Sequence, residues 1–122
     1  DAGNKLVDRN NILKIASEVR KGFEKQNFNY KLLKEIYQRY HHVKNISDFV
    51  SKSKKMFPNL NCGLTSLYLK NIIGKGEVIS GKYNDNNHTF LLVNNLVVDI
   101  TADQYGGPKV YVGELKTPWK EG

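Results

Sequence analysis

The chain has 122 residues and a mass of 14.0 kDa, which fits one domain and is too short for two domains of ordinary size. Its content of 39% hydrophobic and 25% charged residues is typical of globular proteins and excludes an intrinsically disordered chain. Nineteen basic against twelve acidic residues give a net charge of +7, which favours partners such as RNA, an acidic membrane surface or an acidic protein.

A single cysteine, Cys62, excludes an internal disulfide and leaves three interpretations of the thiol: buried filler, a chance survivor or a nucleophile. No run approaches the length of a membrane-spanning helix and no signal pattern opens the chain, so we expect no membrane span. The chain begins with Asp1 rather than Met, which favours a fragment of a longer polypeptide. No residue spacing predicts a metal site, and no cofactor is expected.

Two amphipathic helices are predicted first. Apolar residues recur at intervals of three and four over residues 11–23 and again over 32–40. Either of two neighbouring asparagines, Asn10 or Asn11, is expected to cap the first helix. Two histidines follow the second helix, where a positive charge meets the negative pole of the helix dipole, with metal binding or catalysis as the alternative: His41 and His42.

A short third helix is predicted after Asn45 and Asp48, which are its expected cap, and it ends near Pro58. Met56 is expected on its inner side. Its outer side carries the densest basic patch of the chain, interpreted as a solvated face with phosphate or partner contact as the alternative: Lys52, Lys54 and Lys55.

The fourth predicted helix starts at Cys62 and is apolar over most of its circumference, which predicts a central position. A strand over residues 77–83 follows, then a loop over 84–87. Two further strands, 88–93 and 96–101, surround a pair of asparagines that accepts the positive φ of a tight hairpin, Asn94 and Asn95.

One more short strand is predicted at residues 110–112. The tail from Lys116 is expected to be loose, with Trp119 as the residue that docks it. The predicted fold class is therefore α+β, with N-terminal helices, a central helix headed by Cys62 and a small antiparallel sheet. We expect a single domain over 1–122, made of a helical region 1–58, a catalytic core 59–115 and a loose tail 116–122.

Cys62, His88 and Asp99 form the candidate catalytic constellation. The dipole and free N–H groups of a helix start favour a thiolate at Cys62. In a hairpin centred on residues 94 and 95, paired numbers sum to 189, so His88 and Asp99 are diagonal neighbours within hydrogen-bonding reach. The carboxylate would fix the imidazole tautomer and leave the other ring nitrogen for the thiol. Singly, each residue also fits a structural role, whereas the combination favours catalysis.

The order "NCGLTSLYL", "EVISGKY", "HTFLLV" and "LVVDIT" resembles the core of the transglutaminase-like branch of papain-fold cysteine enzymes over roughly residues 59–107. The resemblance implies that Cys62, His88 and Asp99 are the catalytic triad. It also implies an oxyanion donor, for which papain relatives place a glutamine before the cysteine. No glutamine lies between Gln38 and Cys62, so the role passes to two candidates, Asn61 and Tyr83.

We expect thiol acyl chemistry, in which Cys62 attacks a carbonyl or carboxamide as a protease, deamidase or transglutaminase does. The small, basic chain is also similar to C-terminal toxin domains of bacterial contact-dependent or secreted toxin systems. This implies delivery from a bacterium as part of a larger protein, action in the target-cell cytoplasm and an acidic immunity protein. The alternatives are a toxin ribonuclease that cuts tRNA with His88 as acid or base, and a basic binding module without turnover.

Overall fold

The computed structural model describes residues 8–40, 44–57, 59 and 61–121. The predicted α+β class is confirmed, because four helices pack against a curled, five-stranded antiparallel sheet in this part of the chain. The helices are α1 (Arg9–Glu24), α2 (Tyr30–Tyr40), α3 (Ile46–Met56) and α4 (Cys62–Ile73). The two histidines expected after α2, His41 and His42, lie outside the described residues.

The sheet has the strand order β4-β3-β2-β1-β5. Its strands are β1 (Glu77–Tyr83), β2 (Asn86–Val93), β3 (Leu96–Asp99), β4 (Tyr111–Glu114) and β5 (Trp119–Lys120). A short 3₁₀ helix, Ala102–Tyr105, lies between β3 and β4. No helix in the described ranges is long and apolar enough to cross a membrane.

The hairpin between β2 and β3 has the predicted register. Its pairs run from Val93↔Leu96 to Leu91↔Val98, and the two turn residues, Asn94 and Asn95, have φ values of 50° and 66°. Asparagine tolerates this left-handed region better than most residues, so the turn fixes which side chains share a face.

The hairpin between β1 and β2 is tighter than predicted. Tyr83 pairs with Asn86, so the expected loop 84–87 is a two-residue turn in which Asn84 has φ 55°. Two details of the helices also differ from expectation. The N-cap of α1 is Asp8, whose side chain accepts a hydrogen bond from the Asn11 N–H, and Met56 is 44% exposed rather than turned inward. The predicted cap of α3 is confirmed, since Asn45 accepts from the Asp48 N–H.

The main core lies between the helices and one face of the sheet. α4 is buried over its middle residues, 64–69, and packs on β2, as expected for a central helix. A second, smaller cluster covers the opposite face: Tyr83, Phe90, Val97, Ala102 and Trp119.

The expectation of a loose tail from Lys116 is wrong for residues 116–121. Trp119 is only 4% exposed, stacks on Tyr111 with ring centroids 3.9 Å apart, and pairs with Tyr83 as part of β5. Burial of so large an aromatic side chain outweighs the conformational freedom that a polar tail would otherwise keep. The expected docking by Trp119 is confirmed.

Candidate active site

Cys62 is the first residue of α4, and the helix starts without a side-chain cap. Asn61 occupies the cap position, but its amide donates to the backbone oxygens of Ser53, at 2.8 Å, and of Asn59, at 2.7 Å. The N–H groups of the first helical turn therefore have neither an intrahelical acceptor nor a capping side chain. The positive end of the α4 dipole also acts on Cys62, which is partly exposed.

The start of α4 docks where β3 separates from β2. The last β2–β3 pair is Leu91↔Val98, and alternation along the ladder turns the N–H and C=O of Thr89 toward the side that β3 has left. The Ser66 hydroxyl donates to the Thr89 oxygen at 3.4 Å, while the Thr89 N–H and hydroxyl interact with the Cys62 sulfur. The gap between the strands thus receives the thiol.

The side chains of His88 on β2 and Asp99 on β3 are hydrogen-bonded, as the hairpin register predicts. Nε2 of His88 lies 2.7 Å from Oδ2 of Asp99, and both residues are buried, at 2% and 3% exposure. Oδ2 also accepts from the Trp119 indole N–H at 2.8 Å, and Oδ1 accepts from the Thr101 N–H at 2.9 Å. The carboxylate is therefore held on both oxygens, which fixes the imidazole orientation.

Nδ1 of His88 is buried and has no hydrogen-bond partner of ordinary geometry among the described residues. Since Asp99 occupies Nε2, Nδ1 is the ring nitrogen that remains for Cys62, with which the imidazole interacts. This is the arrangement expected of a thiol, its proton acceptor and the carboxylate that orients the acceptor.

The two titrating groups stabilise each other's charged forms. Burial is the largest single effect on the Cys62 thiol and raises its pKa, but hydrogen bonds with His88 and Thr89 outweigh it and leave the pKa lowered. Burial likewise lowers the pKa of His88, but Asp99 and then Cys62 outweigh this and raise it to about 9. At neutral pH these shifts favour a thiolate beside an imidazolium.

A cleft of about 300 Å³ opens at the sulfur, lined by Cys62, Ser80, Gly81, Asn87, His88 and Thr89. A larger cleft of about 590 Å³ lies between α2 and α3, lined mainly by long polar side chains such as Lys31 and Arg39. Its lining residues include neither a cysteine nor a histidine, so the smaller cleft, which holds Cys62 and His88, is the candidate active site. No group of three His, Cys or acidic residues in the described chain is placed to hold a metal ion.

The other predicted site residues lie outside the cleft. The Asn61 side-chain amide donates both of its N–H hydrogens to backbone oxygens, so it has no donor left to bind an oxyanion. Tyr83 does not line the cleft, but its ring lies edge-on to that of His88, with centroids 6.2 Å apart, and edge-on to that of Trp119. The basic patch of α3 is separate too, and one of its lysines lies over the Tyr30 ring: Lys52, Lys54 and Lys55.

Two residues that were not predicted as site residues support the site. Trp119 acts through Asp99, and Arg20 acts through the segment that follows Asp99. The Arg20 guanidinium is buried and binds both carboxylate oxygens of Asp103, at 2.7 and 2.8 Å, and the Ile100 oxygen at 2.8 Å. Arg20 lies on the apolar stripe of α1 with Ala16 and Phe23, and a charge in that position was the available signal.

Tyr105, which ends the 3₁₀ helix, closes one side of the site. Its ring meets that of His88 edge-on, with centroids 5.4 Å apart, and its hydroxyl donates to the Asn87 oxygen at 3.1 Å. Because Arg20 anchors the start of this segment, α1 contributes to the position of Tyr105 beside the imidazole.

Comparison of the chain with protein-family models, with curated proteins and with solved structures finds no match.

Proposed function

We propose that the protein is a cysteine enzyme that performs thiol acyl chemistry with Cys62, His88 and Asp99. One observation carries this proposal: the buried imidazole is bound to a carboxylate through Nε2, Nδ1 has no hydrogen-bond partner of ordinary geometry among the described residues, and the ring interacts with the thiol of a helix-start cysteine. A structural histidine would normally satisfy both ring nitrogens with fixed partners. The lowered pKa of Cys62 supports the same role.

In the first half-reaction the Cys62 thiolate attacks the carbonyl carbon of an amide, forming an S–C bond and a tetrahedral oxyanion. The imidazolium of His88 gives its Nδ1 proton to the departing nitrogen as the C–N bond breaks. An amine or ammonia leaves, and the acyl group remains on sulfur as a thioester. Asp99 holds the ring and stabilises its positive charge before the proton is transferred.

In the second half-reaction neutral His88 takes a proton from the acceptor, which attacks the thioester carbon and releases the thiolate. Water as acceptor gives hydrolysis or deamidation, and an amine gives transamidation. The oxyanion donors that fit best are backbone N–H groups at the start of α4, including that of Cys62, because the helix start carries no side-chain cap.

The proposal includes a papain-like or transglutaminase-like core. A cysteine-headed helix packed on an antiparallel sheet, with His88 and Asp99 on neighbouring strands, supports it. The toxin setting, with delivery from a bacterium into a target cell and an acidic immunity protein, belongs to the same proposal and is supported by the net charge of +7. The tRNA ribonuclease is less favoured, since none of the α3 lysines lines the cleft.

The test uses p-nitrophenyl acetate, an ester that acylates reactive thiols. We expect a burst of p-nitrophenol equal to the protein concentration, an acetyl group on Cys62 by peptide mass spectrometry, and continued turnover as the thioester hydrolyses. Cys62→Ser should abolish the burst. His88→Ala, which keeps the thiol, should slow turnover by about 100-fold or more. Acetylation of Cys62 no faster than that of free cysteine at the same pH would contradict the proposal.

A further inference from the structure

The outer edge of β1 is open over most of its length. β5 is only two residues long and pairs with β1 at Lys82 and Tyr83. The preceding part of β1, residues 77–81, has β2 on one side and no strand of the described chain on the other. Proteins usually cover or shorten such an edge, because its free N–H and C=O groups pair readily with another chain.

The register identifies the free groups. Tyr83 and Asn86 close a two-residue turn and form a hydrogen-bonded pair, so alternate residues of β1 bond to β2 and the others face outward. Val78 and Ser80 belong to the outward set. The Asn84 N–H, which has the same parity, donates outward to the Pro118 oxygen at 2.8 Å. Among the described residues, no hydrogen bond reaches the outward N–H and C=O groups of Val78 and Ser80.

This open edge runs into the candidate active site. Ser80 is exposed and lines the cleft together with Gly81 and Cys62. Beyond Gly81 the edge is occupied by β5, so a chain that follows the edge must leave it there. Gly81 carries no side chain that would separate the edge from the cleft. Ser80 pairs with Thr89, so the added strand would lie two strand spacings, about 10 Å, from Thr89. Cys62 contacts Thr89 from the side of β2 that faces β3, so the sulfur lies about one spacing further away, roughly 14 Å from the added strand.

We propose that the acyl donor is a polypeptide in extended conformation that adds to β1 as a sixth strand. Its main chain pairs with Val78 and Ser80, and a carbonyl about four residues further along enters the cleft at Cys62. The proposal rests on the proposed function and specifies its substrate class. An extended peptide supplies donors and acceptors at the spacing of the edge, which neither a small free amide nor an RNA strand does.

The test compares two chloromethyl ketones, acetyl-Ala-Ala-Ala-Ala-Val-Ala and acetyl-Gly derivatives, that alkylate Cys62 as sulfur displaces chloride. We expect the longer probe to react at least about tenfold faster, as two main-chain hydrogen bonds allow. N-methylation of its amides, one at a time, should slow the reaction at alternate positions only, because every second N–H of a strand faces β1. Equal rates for the two probes, or N-methyl effects without this alternation, would overturn the proposal.

Ser80→Pro removes one outward N–H, and proline is tolerated on an edge strand where that N–H has no partner. This variant should lose most of the advantage of the longer probe, whereas Ser80→Ala, which keeps the N–H, should retain it. If Ser80→Pro is unstable, the N-methyl series on the unmodified protein decides. Protection of Cys62 by a single-stranded oligoribonucleotide, with no preference for the longer peptide, would overturn the proposal in favour of nucleic acid.

Alkylation by iodoacetamide, which has no peptide main chain to pair with β1, tests the reactivity of Cys62 separately from the strand pairing. Rapid alkylation with equal rates for the two ketones refutes only the strand pairing. Slow alkylation at neutral pH in the unmodified protein refutes the activated thiol and with it the proposed function.

Discussion

Replacing Asp99 with Asn should reverse the direction in which the protein environment moves the pKa of His88. In the folded protein this pKa is about 9, against an ordinary value of 6.5, a difference of about 2.5 units or roughly 3 kcal/mol between the two protonation states. Asp99 is the largest of the favourable contributions, and burial opposes it. Cys62 also raises this pKa, so once the Asp99 charge and the Cys62 contribution are both removed, burial should bring the pKa of His88 below 6.5.

The Cys62→Ser background is suited to this measurement, because serine does not titrate and only His88 of the pair remains. Cys62→Ser should keep the pKa of His88 above 6.5, since the Asp99 contribution remains. Cys62→Ser/Asp99→Asn should bring it below 6.5. The assay is an NMR titration of the imidazole nitrogens, in which the chain has three histidines to assign.

The free energy of unfolding should change with pH in opposite directions in the two variants. In Cys62→Ser the folded state holds the His88 proton more tightly than the unfolded state. This contribution is complete below pH 6.5 and is lost as the pH rises through the folded pKa. In the double variant the folded pKa is depressed, so stability rises with pH up to about 6.5. Urea unfolding at several pH values measures both slopes. Equal His88 pKa values in the two variants would refute the role given to Asp99.

Three further predictions concern the support of the site. Trp119→Phe keeps the aromatic packing but removes the N–H from Asp99, so we expect a loss of about 1–2 kcal/mol in urea unfolding and slower p-nitrophenyl acetate turnover. Arg20→Met leaves the Asp103 carboxylate unpaired and should cost about 3 kcal/mol, measured likewise, with Asp103→Asn/Arg20→Met recovering part of it. In His88→Ala burial should raise the pKa of Cys62, shifting the pH midpoint of iodoacetamide alkylation upward from the unmodified protein, while an unchanged midpoint would contradict the pairing.

The contact between His88 and Asp99 was predictable because it depends on local information. Two asparagines that accept positive φ fix a two-residue turn, and the turn fixes the register of every pair in the hairpin. A shift by one residue would have put the two side chains on opposite faces. The position of Cys62 at a helix start was predictable for a similar reason, since apolar periodicity begins immediately after it.

The contact between Cys62 and Thr89 was not predictable from pattern. It depends on where β3 leaves β2, and the run of β-forming residues continues past Asp99 to Ile100 and Thr101 without a break. The separation reflects tertiary contacts instead: the Ile100 oxygen is bound by Arg20, a residue 80 positions earlier in the chain. β5 escaped prediction because two residues are too few to show a period.

Contacts from both ends of the chain also hold the site in place. Residues 59–115 were expected to form the catalytic core, yet Asp99 is held by Trp119 from the tail, and the segment after it is held by Arg20 from α1. Both supports lie outside that range. The carboxylate would otherwise lose a donor in a buried position, where an incompletely satisfied charge is most costly. The orientation of His88 is therefore a property of the whole chain, and the hairpin alone does not determine it.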